Sequence, residues 1–201
     1  PSPPATARPS PRRTPAEGAP KAEPPNPPVA PSPWGVALAL VGDSGTLPRA
    51  SVGSALAVEW GRRDWRLSLT GTWLWSGASE DSSLEGVRAD FEAGDGELAG
   101  SWMPRLGPLR LGLSLGVRAA RISGEARGLE GGSAATAWVP MAGLAGRVRW
   151  PAEGPWAMLL GVELAQPLQG ARFEIEGLGQ LHRVGEPTLR GTLGLGCSVG
   201  P

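Results

Sequence analysis

Alternation constrains this chain more than any other feature. In residues 109–118, LRLGLSLGVR, Leu109, Leu111, Leu113, Leu115 and Val117 share one face of an extended chain, and Arg110, Gly112, Ser114, Gly116 and Arg118 share the other. The period is two, which is a strand with one greasy side and one small or charged side. Such a face has two destinations: the core of a soluble sheet, or lipid.

The pattern recurs. Eight period-two segments lie at about 34–42, 50–61, 64–76, 86–102, 108–121, 136–150, 155–167 and 187–199. No stretch sustains a 3.6-residue period, so the domain over 34–201 is all-β. The links GRRD, MPRLGP and PAEG are short, and those between them are longer, up to QGARFEIEGLGQLHRVGEP. Consecutive strands joined by short turns make antiparallel hairpins in an up-and-down meander. Short turns at one end and long loops at the other are the habit of membrane barrels.

The turns set an expected register. Around GRRD, Trp60 faces Trp65, Val58 faces Leu67, Leu56 faces Leu69, and Glu59 faces Arg66 on the opposite side. Around PAEGP, Trp150 faces Trp156 and Val148 faces Met158. Strand four begins with apolar odd positions (Val87, Ala89, Phe91, Ala93) and ends with apolar even ones (Leu98, Trp102). A β-bulge near Gly94-Asp95-Gly96 accounts for the switch. With it Trp102 pairs near Leu109, and Glu92 lies opposite Arg118.

Tryptophan placement turns the apolar face outward. Trp34, Trp60, Trp65, Trp102, Trp150 and Trp156 flank the short turns, while Trp73, Trp75 and Trp138 lie near the opposite strand ends. Indole prefers the membrane interface, so two tiers read as aromatic girdles. The other face carries Gly, Ala, Ser and Thr with scattered charge, which suits a narrow lumen filled by side chains. Closure also leaves no strand edge, as lipid demands. The alternative is a soluble lipocalin-like carrier with the leucines lining a ligand cavity.

Across about 34–201 the chain resembles the small eight-stranded outer-membrane barrels of the OmpA/OmpX kind. The resemblance is one of architecture, and its nearest approach to a motif is the last strand. Thr192-Leu193-Gly194-Leu195-Gly196-Cys197-Ser198-Val199 has the polar, Gly, apolar and terminal-apolar spacing of the signal read by the barrel assembly machinery. It departs in ending on Val rather than an aromatic residue, with Gly200-Pro201 following. The resemblance implies an eight-stranded antiparallel transmembrane β-barrel in a bacterial outer membrane, with lipid and the assembly machinery as partners.

Residues 1–33, rich in Pro, Ala and Ser, show no period of either kind. They read as a disordered Pro-rich linker on the periplasmic side, where PxxP stretches can dock a partner groove. The start at Pro1 is read as that of a mature chain or a fragment. No apolar run approaches the ~18–20 residues of a spanning helix. A net charge of zero leaves no electrostatic footprint for nucleic acid. A single cysteine, Cys197, and a single histidine, His182, make multi-cysteine and conventional zinc sites unfavourable, and no cofactor is expected.

The expected lumen holds charges in two tiers: Glu59, Arg66, Arg110, Arg147 and Arg149 near the short turns, and Asp90, Glu92, Arg118, Glu163 and Arg190 further up. These either pair and plug the barrel or form a switchable gate in a narrow pore for ions or small solutes. A lipid-modifying site would draw on His182 with Glu176 or Glu186 and a serine, but His182 lies in a long loop and the register places no serine near it, so no catalytic residue is assigned. Cys197 falls on the lipid face. Glu80, Asp81 and Glu85 make one long loop acidic.

Overall fold

The computed structural model describes residues 33–75, 79–80, 88–127, 134–175 and 179–199. The Pro-rich stretch and the acidic residues Asp81 and Glu85 lie outside the described residues, as does the side chain of Glu80. Eight strands form the wall: β1 (Trp34–Ser44), β2 (Ser51–Arg62), β3 (Trp65–Trp75), β4 (Arg88–Trp102), β5 (Leu109–Arg127), β6 (Ala134–Trp150), β7 (Trp156–Pro167) and β8 (Thr188–Ser198). Each pairs antiparallel with the next, and β8 closes onto β1. The ends expected from alternation agree with these to within a few residues except at the long-loop end of β5, which runs on to Arg127. Within the long β7–β8 link, Ala171–Ile175 and Gly179–Val184 form a separate hairpin where a plain loop was expected.

The register fixes the barrel's shape. Stepping from Trp34 through Trp60, Leu67, Gly100, Leu115, Leu144, Leu164 and Leu189 returns to β1 at Ser44, ten residues along. With ~3.3 Å per residue and ~4.8 Å between strands, a stagger of ten over eight strands tilts them by ~40° at a radius of ~8 Å. The span from Trp65 to Trp75 then covers ~25 Å along the axis, the height of a membrane-facing apolar band.

That band is present, and it faces out. Among the described residues, 32 large apolar side chains are at least 37% exposed, including Leu40, Leu115, Leu164 and Leu195. A fully exposed side chain of this kind costs ~1.5–3 kcal/mol in water relative to burial, so a half-exposed set would cost some tens of kcal/mol. A domain is stable by only ~5–15 kcal/mol. The surrounding solvent is therefore apolar, and the fold is a transmembrane barrel.

The three short-turn hairpins correct the expected register. Observed pairs are Trp60 with Leu67, Trp150 with Met158 and Trp102 with Leu113. The shifts are two, two and four residues, because the chain turns later or more tightly than the links suggested. Arg63-Asp64 alone reverses the β2–β3 hairpin, with Arg63 in the left-handed region at φ 57°. Ladder pairing resumes past Pro104 at Arg105–Leu106, and Gly107, at φ 62°, starts the turn. Every shift is even, so the residues flanking these turns kept their faces. Backbone bonds between neighbouring hairpins stitch this end into a ring: Gly61 to Pro33, Met103 to Asp64, Ala152 to Pro108 and Ser198 to Pro155.

β4 contains no bulge. It pairs without interruption with β3 and β5, and its odd residues face inward from Phe91 to Ser101. The switch in polarity has another cause. Above the band the outside of the wall meets water and the inside packs an apolar cap of Val41, Leu47, Leu74, Phe91, Ile122, Val139, Met141 and Val184 with several alanines. The same strand therefore reverses its pattern on leaving lipid, with no residue inserted.

Candidate functional site in the barrel lumen

The inward faces of all eight strands bring charge to the axis in layers, starting at the short-turn end. Arg110 sits at the rim, 3.3 Å from Asp64, and donates to the carbonyls of Arg63, Met103 and Ala152 at 3.2 Å each. Above it Glu59 meets Arg149 at 3.7 Å, with Arg66 beside them on β3. Ser101 and Ser114 share a hydrogen bond of 2.5 Å across β4 and β5. Next, Arg147 reaches Glu97 at 3.3 Å and the Ser68 hydroxyl at 3.4 Å. Arg118 lies 3.8 Å from Glu163 and donates to Thr188 Oγ1 at 3.0 Å.

The topmost charged layer is the most buried. Arg190 of β8 donates to Asp43 Oδ2 at 3.0 Å, and to Asp95 Oδ2 at 2.6 Å and Oδ1 at 3.3 Å. Both carboxylate side chains are fully buried, and the Arg190 side chain is 3% exposed. Asp43 does a second job, accepting the Thr46 backbone N–H at 3.1 Å to hold the β1–β2 turn. Above the Arg110 rim, five inward arginines (66, 118, 147, 149, 190) match five inward carboxylates (43, 59, 95, 97, 163) among the described residues. The apolar cap closes over them.

Several expected partners differ. Glu59 meets Arg149 rather than Arg66, because the real register places Glu59 opposite Ser68. Glu92 and Asp90 are corrected outright: both lie on the outward side of β4, and Glu97 is the residue paired with Arg118 in register. Asp43, Asp95 and Glu97 were missed. Asp43 falls just past the expected end of the first strand, and Asp95 lay within the assumed bulge. Glu97 is inward with or without the bulge, by parity with outward Leu98 and Trp102, and was not counted among the lumen charges; unbroken odd parity from Phe91 would have found Asp95.

Between the lower charge layers lies a cavity of about 100 Å³. Ala37, Ala39, Ala55 and Ala57 form one wall, and Glu97, Arg147 and Glu163 contribute to the other. The Nε atoms of Arg66 and Arg149, which line it, have no protein acceptor. A cavity of this size holds a few waters, and buried polar atoms of this kind need them. No three metal-ligating side chains converge among the described residues. The side chain of His182 lies outside the described residues, as does Glu176, while Glu186 is exposed in the β7–β8 link. Charge neutralisation in a confined space is the chemistry this arrangement carries.

The nine tryptophans are all outward and 40–66% exposed. Cys197 is half-buried on the outer side of β8, opposite Trp156.

No family model matches the sequence, and no curated protein is significantly similar to it. Solved structures do match the fold. Neisserial surface protein A is similar over 85% of this chain and 99% of its own, with a TM-score of 0.62 and 11% identity. A major outer membrane protein of Thermus thermophilus matches over 82% of this chain and 99% of its own, with a TM-score of 0.56 and 14% identity. Ail, the attachment invasion locus protein of Yersinia pestis, matches over 83% and 96%, with a TM-score of 0.51 and 12% identity. This is the fold of the small eight-stranded outer-membrane barrels. At such identities the likeness is one of architecture, and the lumen residues have to be read from their own geometry.

Proposed function

We propose that the chain is an integral bacterial outer-membrane barrel that serves a structural or surface-interaction role, with a lumen plugged by side chains rather than open to solute. The observation that carries this reading is the double seal. The Arg190–Asp43–Asp95 layer spans the lumen from β8 to β1 and β4, and the cap of Leu74, Phe91, Ile122 and Val139 sits directly above it. Ions crossing would have to break a desolvated ion-pair triad and then enter an apolar core, and each step is costly.

With the lumen closed, function falls to what the barrel displays. The long connections gather at one end and are the surface open to partners, in keeping with the name of Ail as an attachment protein. The Pro-rich segment is assigned to the periplasmic side, where it could contact a partner groove, and the β8 pattern Thr192–Val199 to recognition by the assembly machinery. The nine tryptophans are assigned to the two interface girdles.

The test is conductance of the full chain in planar bilayers, with a heat-modifiable gel shift showing that the same preparation is folded. The plugged reading expects no unitary steps above the protein-free baseline. Discrete ion-conducting steps would replace it with the narrow-pore reading.

A further inference from the structure

The outward surface is bare in one place. On β3, β4 and β5 the leucine band gives way to Gly71, Gly96 and Ala119, which the register sets side by side. A Cβ on Gly71 or Gly96 would meet nothing within 4 Å, so the sheet is uncovered there. One step higher the paired residues run Trp73, Gly94, Arg121, Trp138 across four strands. Two indoles, 48% and 65% exposed, flank this row. Together they shape a groove of about 500 Å³ on the outside of the barrel. That is within the ~300–1,000 Å³ of small-molecule sites.

Arg121 lines the groove, is exposed, and has no ion-pair partner among the described residues. It stands ten residues above Leu111, at the height where the apolar band ends. A guanidinium at that boundary reaches for phosphate, which it binds as a fork of charge-assisted donors. Glu92 and Ser123, paired with each other one step further up, edge the same groove and offer acceptors to headgroup hydroxyls.

We propose that this groove binds one acyl chain of an anionic, hydroxyl-bearing phospholipid whose phosphate pairs with Arg121. The proposal rests on the outward assignment of the apolar band. Lipid is the occupant because the floor is glycine and alanine whose backbone is already hydrogen-bonded in the sheet at bilayer depth, the walls are interfacial indoles, and Arg121, the one cation lining the groove among the described residues, is complementary to a headgroup phosphate.

The test is native mass spectrometry of the full chain released from nonionic detergent micelles supplied with equal phosphatidylglycerol and phosphatidylcholine. The wild type retains one phosphatidylglycerol in preference. Arg121→Gln lowers that preference about tenfold, the equivalent of ~1.4 kcal/mol. Gly96→Leu fills the groove and loses the lipid. Gly146→Leu, another outward glycine with open space around it, retains it. Excess inorganic phosphate leaves the lipid in place. A heat-modifiable gel shift for every variant separates loss of lipid from loss of the barrel. Equal retention of the two lipids by the wild type would overturn the proposal, as would unchanged retention by Arg121→Gln and Gly96→Leu, displacement by inorganic phosphate, or a second copy of the chain in place of lipid.

Discussion

Replacing Arg190 with methionine tests whether the lumen is held by its ion pairs. Arg190 donates three hydrogen bonds to two fully buried carboxylates, at 2.6, 3.0 and 3.3 Å. Bonds to charged groups are worth ~1.5–3 kcal/mol each, a gross ~5–9 kcal/mol that shared desolvation reduces. Removing the cation leaves Asp43 and Asp95 facing each other without a counter-charge. The expected cost is ~3–5 kcal/mol, the range seen when a buried pair loses one member. The triple variant Asp43→Asn/Asp95→Asn/Arg190→Met removes all three charges together. The amide oxygen that replaces the Asp43 carboxylate still accepts the Thr46 N–H, so the turn survives, and stability returns to within ~1–2 kcal/mol of wild type. The assay is urea unfolding of the vesicle-inserted chain, followed by tryptophan fluorescence and by the gel shift of unheated samples. If Arg190→Met costs less than ~1 kcal/mol, or if the triple variant is no better than the single one, the triad is not what holds the lumen.

Leu115→Arg, mid-band and 69% exposed, destabilises the inserted barrel by ~2–4 kcal/mol, and Leu111→Arg near the short-turn interface costs ~0–1 kcal/mol, as read from the same urea titrations. Leu74→Ala hollows the cap and costs ~2–5 kcal/mol, while bilayer recordings stay silent because the Arg190 layer below remains closed.

The sequence displayed the faces of the strands more clearly than the partners of the charges. Alternation survives any even slip of register, so Leu113 and Leu115 were outward whether Trp102 paired with Leu109 or with Leu113. Turn length did not read out, because ladder pairing could run past Pro104 and a lone left-handed Arg63 could turn a hairpin. The bulge failed for a specific reason. Phe91 and Ala93 are apolar and inward, Leu98 and Trp102 apolar and outward, and the reversal marks the point where β4 leaves lipid for water. The ion pairs were the least legible feature. Arg190 meets Asp43, its register partner across the closing β8–β1 seam, and Asp95 across the barrel on β4, at sequence separations of 147 and 95, and only the stagger of ten residues brings the three level. That stagger is a property of the closed ring, which no single hairpin displays.

The odd residues of 109–118 face lipid and the even ones face a filled lumen, and site-directed spin labelling reads both faces at once. Single cysteines are placed from 111 to 118 in a Cys197→Ser background, reconstituted in vesicles, and scored by collision with oxygen, which partitions into lipid, and with a water-soluble nickel chelate. Strong period-two alternation is expected, with labels at 111, 113, 115 and 117 accessible to oxygen and shielded from nickel, and labels at 112, 114, 116 and 118 immobilised and reached by neither. Nickel access at the odd positions would place the leucine face in water and refute the transmembrane barrel.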